Sequence, residues 1–141
     1  MLKELELRRS CRNYDSKMPE EEKINEVINA GLHAASGMGY QYGIIIAITN
    51  KEVREKISTL NAKIMNNEGI DPFYGAPVIL LVAVKKWRNS PYDGACMIEN
   101  MMIEATNQGL GSIIIFSIIQ APSYGLFRHF FTATSKITGA P

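Results

Sequence analysis

Five consecutive residues near the N-terminus carry side chains that suit a phosphate group. Arg8, Ser10 and Arg12 alternate with Arg9 and Cys11. In an extended backbone alternate side chains point the same way, so two guanidinium groups and a hydroxyl can converge on one phosphate. Because short basic clusters are also common on solvated surfaces, a basic surface turn is the alternative interpretation of this arginine segment, residues 8–12.

No other group of residues forms a catalytic pattern. The sequence contains no HExxH, GxSxG or Walker lysine motif and no Cys and His pair with an orienting group. We therefore predict neither a catalytic side chain nor a metal site. The glycines of SGMGY, residues 36–40, follow a predicted helix instead of opening one, which makes a phosphate loop there a weak hypothesis.

Two helices are predicted in the first half of the chain from the spacing of their apolar residues. The first follows an acidic start, with Pro19 in its first turn, and its inward face would consist of Ile24, Val27, Ile28, Gly31, Leu32 and Ala35. Asn50 is expected to cap the second helix. Its inward face would consist of Val53, Ile57, Leu60 and Ile64, and its solvent face of Lys51, Glu52, Arg54, Glu55 and Lys56.

A third helix, residues 93–108, is apolar or small around most of its girth, so we expect it to be buried on several sides or against another subunit. Gly109 suits its C-terminal cap. Continuous apolar runs at residues 44–48, 78–84 and 112–119 predict buried strands. Helices that alternate with buried strands indicate a layered αβ domain.

Composition favours one soluble domain. The 141 residues are 46% hydrophobic, so the chain can bury one core, and we predict a single domain over residues 1–141. Fifteen basic and fourteen acidic side chains nearly cancel, so the chain has no strong overall electrostatic field. This argues against nucleic-acid or membrane partners. The apolar run at residues 113–119 is too short to span a bilayer, and Cys11 and Cys96 match no disulfide framework, so we expect a cytoplasmic protein.

Three stretches carry a family resemblance. RRSCRNYDSKMPEEEKINEVINAGLHAASGMGYQ, residues 8–41, closely resembles the N-terminal signature of the nitroreductase family: a basic RxSxR start, an aromatic residue, an acidic helix and a small-residue turn that ends in glutamine. DPFYGAPVILLVAV and DGACMIENMMIEATNQGLGS follow in the order and spacing of that family. The resemblance covers residues 3–112.

The resemblance implies an α+β fold, a layered sheet with flanking helices, that works as an intertwined homodimer with FMN at the subunit interface. It implies that Arg8, Ser10 and Arg12 bind the phosphate and that Arg9 lines the flavin. Residues implied to reach the flavin from the partner subunit are Ala35, Ser36, Gly37 and Met38, and Gln41 is implied to contact the polar side of the cofactor. An ordinary structural role is the alternative for each of these loop residues.

The resemblance also implies an activity. The chain would be an FMN-dependent oxidoreductase that carries electrons from NADH or NADPH to nitroaromatic, quinone or similar acceptors by a ping-pong mechanism. A flavin carries the redox chemistry itself, which accounts for the missing catalytic side chains. Phe73 and Tyr74 could line the substrate cleft or pack in the core. A flavin-binding or truncated remnant without turnover is the alternative function, and a nucleic-acid module that uses the arginine segment is a weaker one.

The C-terminal stretch departs from the family pattern. IIIFSIIQAPSYGLFRHFFTATSKITGAP, residues 113–141, shows neither the family's charged helix nor its final strand. The domain is therefore atypical from about residue 113, and we hypothesise a shortened or divergent terminus.

Overall fold

The computed structural model describes residues 1–115 in full and the backbone of residues 127–134. Its helices are α1 (Lys3–Leu7), α2 (Glu21–Leu32), α3 (Lys51–Ile64) and α4 (Ser90–Asn107), and Gly37–Gly39 forms a 3-10 turn. Its strands are β1 (Gly43–Ile48), β2 (Val78–Val84), β3 (Gly111–Ile115) and β4 (Phe127–Thr134). They form one sheet in the order β1-β2-β4-β3, with every neighbouring pair antiparallel. The predicted α+β class is confirmed.

Strand β2 lies inside the sheet and is buried on both faces. Val78, Leu80, Val82 and Val84 belong to the larger core cluster, which α2 and α4 complete, whereas Ile79 belongs to a smaller cluster on the opposite face. A strand covered on both sides has a continuous apolar sequence, so the prediction for residues 78–84 is confirmed.

Strand β1 is an edge strand, and the prediction that it is buried is wrong for one of its faces. Ile45 packs against the larger core cluster, but Ile44 and Ile46 are 56% and 45% exposed. Gly43 allows α4 to approach, because a Cβ there would lie 2.2 Å from the sulfur of Met97. An apolar run predicts a strand well but cannot show which of its faces the rest of the chain covers.

Helices α2 and α4 pack together on one face of the sheet. Gly31 of α2 permits this approach, because a Cβ there would lie 2.7 Å from Cγ of Met101 and from Cδ1 of Ile45. The Asn100 amide of α4 donates to the Ala30 carbonyl of α2 at 3.2 Å. The core beside the candidate site is therefore built from two helices and the sheet.

The bounds of both helices differ from the predicted ones. α2 begins at Glu21, so Pro19 precedes its first turn, and it ends before Ala35 can join its inward face. Leu32, its last residue, is 46% exposed. α4 begins at Ser90 instead of residue 93. Gly109 follows α4 with a φ of 72° and caps it as expected.

The inward face of helix α3 agrees only in part with the face that its apolar residues predict. Asn50 caps it as expected and accepts the Val53 N–H at 3.1 Å. However, Val53 and Leu60 are exposed, and the Arg54 side chain, predicted to face water, is only 12% exposed. The buried positions are small or polar: Ser58, Asn61 and Ala62. The predicted inward face is right for Ile57, which packs against the smaller core cluster, and wrong for Val53 and Leu60. Arg54 and Ser58 lie on the inner side because they bind Asp71 and Ala76 on the loop before β2.

Strand β4 was not among the predicted elements, yet it lies between β2 and β3. Its register pairs Ala133 with Val78 on one side and Thr134 with Gly111 on the other. The interpretation that the C-terminal stretch has no final strand is therefore wrong. The predicted third strand is confirmed for residues 111–115, and its predicted continuation over residues 116–119 lies outside the described residues.

Candidate functional site

The arginine segment runs along the start of β3. The Cys11 N–H donates to the Ser112 carbonyl at 2.9 Å, and Ser10 forms a parallel bridge with Ser112. Cys11 is buried with 8% exposure, whereas Ser10 and Arg12, on either side of it, are exposed. The alternation expected of an extended backbone is present here. The segment is therefore fixed at its centre and presents a hydroxyl and a guanidinium group to solvent.

The three arginines of this segment have different partners. Nε of Arg8 lies 3.7 Å from Oε1 of Glu99, in a pair whose side chains are 28% and 50% exposed. Arg9 folds back and donates to the carbonyls of Glu6 at 2.6 Å and Arg8 at 2.8 Å. Arg12 forms no hydrogen bond or ion pair with residues 1–115. Within residues 1–115, Arg12 is therefore the arginine of the segment whose N–H donors are all available to a ligand.

Residues 35–41, the glycine loop, connect α2 to β1 and contain an unusual backbone. Met38 and Gln41 have φ values of 56° and 51°, in the left-handed region that favours glycine. The Gln41 N–H donates to Oγ of Ser36 at 3.0 Å, which closes the loop locally. Met38 is 77% exposed at its tip. The loop therefore offers a small, exposed surface on a strained backbone.

Two residues outside the predicted set hold this loop. The Gly37 N–H donates to Oδ1 of Asp93 at 2.8 Å, and Nε1 of Trp87 donates to Oδ2 of the same carboxylate at 2.9 Å. A Cβ on Gly37 would lie 2.5 Å from Cη2 of Trp87, so Trp87 covers this glycine. Spacing along the sequence gave no signal for these contacts, because residues 37 and 93 meet only through the tertiary fold.

Aromatic rings extend the surface beside the glycine loop. The Tyr40 ring stacks on Tyr42 with centroids 4.8 Å apart, and its edge contact with Trp87 spans 5.2 Å. Nζ of Lys85 lies 4.9 Å from the centroid of the Tyr42 ring. This side of the loop is therefore flanked by planar groups and one cation.

The two groups of predicted site residues lie at different places on α4. Glu99, the partner of Arg8, follows Asp93, the partner of Gly37, by six positions, or about 9 Å along the helix axis. Among residues 1–115, no hydrogen bond or ion pair joins the arginine segment to the glycine loop. A site that uses both groups must therefore span α4 or combine two subunits.

The loop before β2 and helix α3 form a partly buried charge network that the sequence did not predict. Arg54 forms an ion pair with Asp71 and donates to the Ala76 carbonyl at 2.9 Å. Ser58 donates to Oδ1 of Asp71 at 2.6 Å. Partial burial acts to raise the pKa of Asp71, but hydrogen bonds from Arg54, Ser58 and two backbone N–H groups lower it below the ordinary value of 3.8. We call this group the Asp71 clamp (Arg54, Ser58 and Asp71).

The clamp fixes the two predicted substrate residues in different environments. Phe73 is fully buried in the smaller core cluster, which matches the core-packing alternative for this residue. Tyr74 is 42% exposed and has a φ of 54°. The Asp71 carboxylate accepts the Gly75 N–H at 2.7 Å, directly after Tyr74. Of the pair, Tyr74 is the side chain that a ligand could reach.

The family of the chain follows from its sequence match. The model of the nitroreductase family matches residues 5–140. The chain belongs to the nitroreductase family. The match extends beyond residue 112, the limit of the motif resemblance, and includes β4, so the C-terminal strand is part of this nitroreductase-family domain.

Solved nitroreductase structures share the fold of this family member. A nitroreductase with bound FMN from Bacteroides fragilis NCTC 9343 is 25% identical with a TM-score of 0.87, over 98% of this chain and 89% of that chain. A nitroreductase with bound FMN from Desulfitobacterium hafniense DCB-2 is 20% identical with a TM-score of 0.83, over 100% and 93% of the two chains. An FMN-dependent nitroreductase from Clostridium difficile R20291 is 18% identical with a TM-score of 0.83, over 99% and 93%. No curated protein sequence matches the chain.

Two further features of this nitroreductase-family chain concern metals and membranes. In the part of the chain that the structure describes, no three His, Cys, Asp or Glu side chains are grouped so that they could hold a metal ion. No helix there combines the length and the apolar character that crossing a membrane requires. Both Cys11 and Cys96 are free thiols.

Proposed function

We propose that the chain is an FMN-dependent oxidoreductase that transfers electrons from NADH or NADPH to a nitroaromatic, quinone or similar acceptor. The observation that carries the proposal is the exposed pair of Ser10 and Arg12, which β3 fixes within the N-terminal motif of a nitroreductase-family chain. The Bacteroides fragilis nitroreductase, which has the same fold, holds FMN.

The donor set of the arginine segment fits the phosphate of FMN. Arg12 supplies a guanidinium group and Ser10 a hydroxyl, and a guanidinium fork binds phosphate through two charge-assisted hydrogen bonds. Arg8 would join them by leaving Glu99, because exposed ion pairs of this kind contribute only about 0–1 kcal/mol. Arg9 would line the flavin from the same segment.

The glycine loop would hold the flavin ring of the cofactor that a partner subunit binds. Met38 is exposed at the tip of the loop, and Gly37 next to it is held in place by Asp93 and Trp87. Further contacts would come from Ala35, Ser36 and Gln41. Bound FMN supplies the hydride acceptor and electron donor, so this chain's residues need only bind the cofactor, orient it and exclude water. Tyr74 would line the substrate cleft.

A homodimer is part of the proposal, because one exposed face of α4 is largely apolar. Tyr92 is 71% exposed, and Ala95 and Cys96 follow it at helical spacing, also exposed. Ile44 and Ile46 on the edge strand add a second exposed apolar surface. A second copy would cover such surfaces and bring its glycine loop to the arginine segment of the first. Light scattering at micromolar concentration should give twice the chain mass, and a stable monomer would contradict the dimer.

The decisive experiment is a titration of the purified chain with FMN and riboflavin, followed by reduction with NADH or NADPH under anaerobic conditions. We expect FMN to bind more tightly than riboflavin, because riboflavin lacks the phosphate, and we expect the bound flavin to be bleached by the nucleotide and re-oxidised by a nitroaromatic or quinone. Parallel double-reciprocal plots would support the ping-pong order. Equal affinity for FMN and riboflavin would contradict the phosphate site, and bound FMN without bleaching would identify a remnant without turnover.

A cytoplasmic location is the last part of the proposal. The free thiols of Cys11 and Cys96 support it, because thiols persist in reducing compartments.

A further inference from the structure

Asp93 is the one buried carboxylate among the residues described in full, with 6% exposure. Its two oxygens accept hydrogen bonds from two different segments: Oδ1 from the Gly37 N–H at 2.8 Å and Oδ2 from Nε1 of Trp87 at 2.9 Å. It lies in the first turn of α4, where the helix dipole favours a negative charge. The carboxylate therefore joins the glycine loop, the segment before α4 and α4 itself.

The glycine loop depends on this external bond. Met38 and Gln41 adopt the left-handed backbone region, which is unfavourable for residues with a side chain and persists only where surrounding contacts enforce it. The bond from the Gln41 N–H to Ser36 lies within the loop, whereas the bond from Gly37 reaches a residue 56 positions away. Loss of the Asp93 acceptor would therefore remove the hydrogen bond that ties the loop to α4.

We propose that Asp93 is a positioning residue for the flavin, which holds the glycine loop in its binding conformation through Gly37 and Trp87. The inference rests on the proposed function, because it takes the loop to be a flavin contact. Trp87 has two parts in this arrangement: its ring covers Gly37, and its N–H occupies the second oxygen of Asp93. Asp93 itself would not touch the cofactor.

Hydrogen-bond counting gives a sharp test. The two donors face different oxygens of Asp93. In Asp93→Asn one of these oxygens becomes an NH2 group, so the donor that faces it, the Gly37 N–H or the Trp87 indole N–H, loses its partner. In the double variant Asp93→Asn with Trp87→Phe, the indole donor is gone and the amide oxygen can serve Gly37 again. Glu26→Gln, an exposed position on α2, removes the same single charge and is the matched control.

We expect Asp93→Asn to weaken FMN binding about tenfold, because both hydrogen bonds lose their charge assistance and one of the two donors that position the loop, Gly37 or Trp87, loses its acceptor. The double variant should return to within about threefold of Trp87→Phe alone. Glu26→Gln should match the wild type. A merely structural loss would not be reversed by a second substitution at Trp87.

A second readout needs no flavin. Trp87 is the one tryptophan of the chain, so its indole N–H gives a single NMR signal. In the wild type this proton should exchange slowly with water, and in Asp93→Asn the signal should shift and exchange faster. If Asp93→Asn does not fold, the double variant carries the test alone: affinity close to that of Trp87→Phe supports the inference, and a further tenfold loss contradicts it.

The outcomes separate the inference from the proposed function. If the wild type binds FMN and Asp93→Asn binds it equally well, Asp93 has no positioning role and the proposed function stands. If Asp93→Asn loses affinity but Trp87→Phe does not restore it, the shared-acceptor arrangement is wrong. If the wild type binds no FMN while the indole N–H is protected, the proposed function fails, and the flavin role of Asp93 fails with it.

Discussion

The arginine segment and the Asp71 clamp use the same side chain in opposite environments. Arg54 is 12% exposed and is paired with a carboxylate and a backbone carbonyl. Arg12 is exposed and has no partner among residues 1–115. In sequence, the clamp arginine is the one that looks like a surface residue. The comparison teaches that the partners a fold supplies, and not the residue type, decide whether an arginine stabilises the structure or is left for a ligand.

The largest effect that this comparison predicts is on stability. Arg54→Ala should lower the free energy of unfolding by about 2–3 kcal/mol, because it leaves the half-buried Asp71 carboxylate without its cation and the Ala76 carbonyl without its donor. Arg12→Ala should change it by less than about 0.5 kcal/mol. Urea denaturation of both variants measures the difference. Equal losses would show that the two arginines are not in different environments.

For cofactor affinity we predict the opposite order: the substitution of Arg12 should have the large effect. Arg12→Ala should weaken FMN binding about tenfold or more, because a charge-assisted contact with the phosphate is lost. Lys56→Ala, at an exposed position on α3, removes the same charge and serves as the control, whereas Arg54 cannot, because it is internal. Titration of both variants with FMN measures the effect. If Arg12→Ala and Lys56→Ala behave alike, Arg12 is a solvated surface residue.

The Asp71 clamp should also affect how the stability of the chain changes as the pH is lowered. Because the pKa of Asp71 in the folded chain lies below 3.8, its ionised form contributes stability above that value, and the contribution is lost as the pH falls through the folded pKa. Asp71→Asn cannot titrate there, so its stability should fall less steeply than that of the wild type below pH 3.8. Unfolding curves from neutral to acidic pH compare the slopes. Parallel slopes would remove Asp71 from the acid response.

The smallest predicted effect concerns Arg8. Glu99→Gln should strengthen FMN binding about two- to threefold, because it releases Arg8 from an exposed ion pair and removes a negative charge from the phosphate site. The gain should shrink as salt is added. Glu55→Gln on α3 is the matched control at an exposed carboxylate. Unchanged or weaker binding in Glu99→Gln would indicate that Arg8 does not reach the phosphate.

The sequence predicts elements better than it predicts their orientation. Apolar spacing located α2, α3, α4 and the first three strands, and the cap at Asn50 is confirmed. The inner position of Arg54 and Ser58 on α3 was missed because it is set by Asp71, which a periodicity within one helix cannot include. Ile44 and Ile46 were expected to be buried because hydrophobicity does not reveal whether a neighbouring element exists.

For the candidate site, too, the sequence predicts some of the residues but not the contacts that orient them. The alternation at residues 8–12 predicts which side chains share a direction, and Ser10 and Arg12 do share an exposed side. The partners that orient the site were not predictable. Glu99, Trp87 and Asp93 come from distant positions, and only packing brings them to the arginine segment and the glycine loop.

The position of β4 has a consequence for the newly made chain. β4 pairs with both β2 and β3, but about forty residues separate the end of β2 from its start, which a ribosome takes seconds to add. During that interval the growing polypeptide exposes one edge of β2, and β3 has no strand to pair with. Because β4 lies between β2 and β3, the four-stranded sheet can be completed only after residue 134 has been synthesised and has left the ribosome exit tunnel.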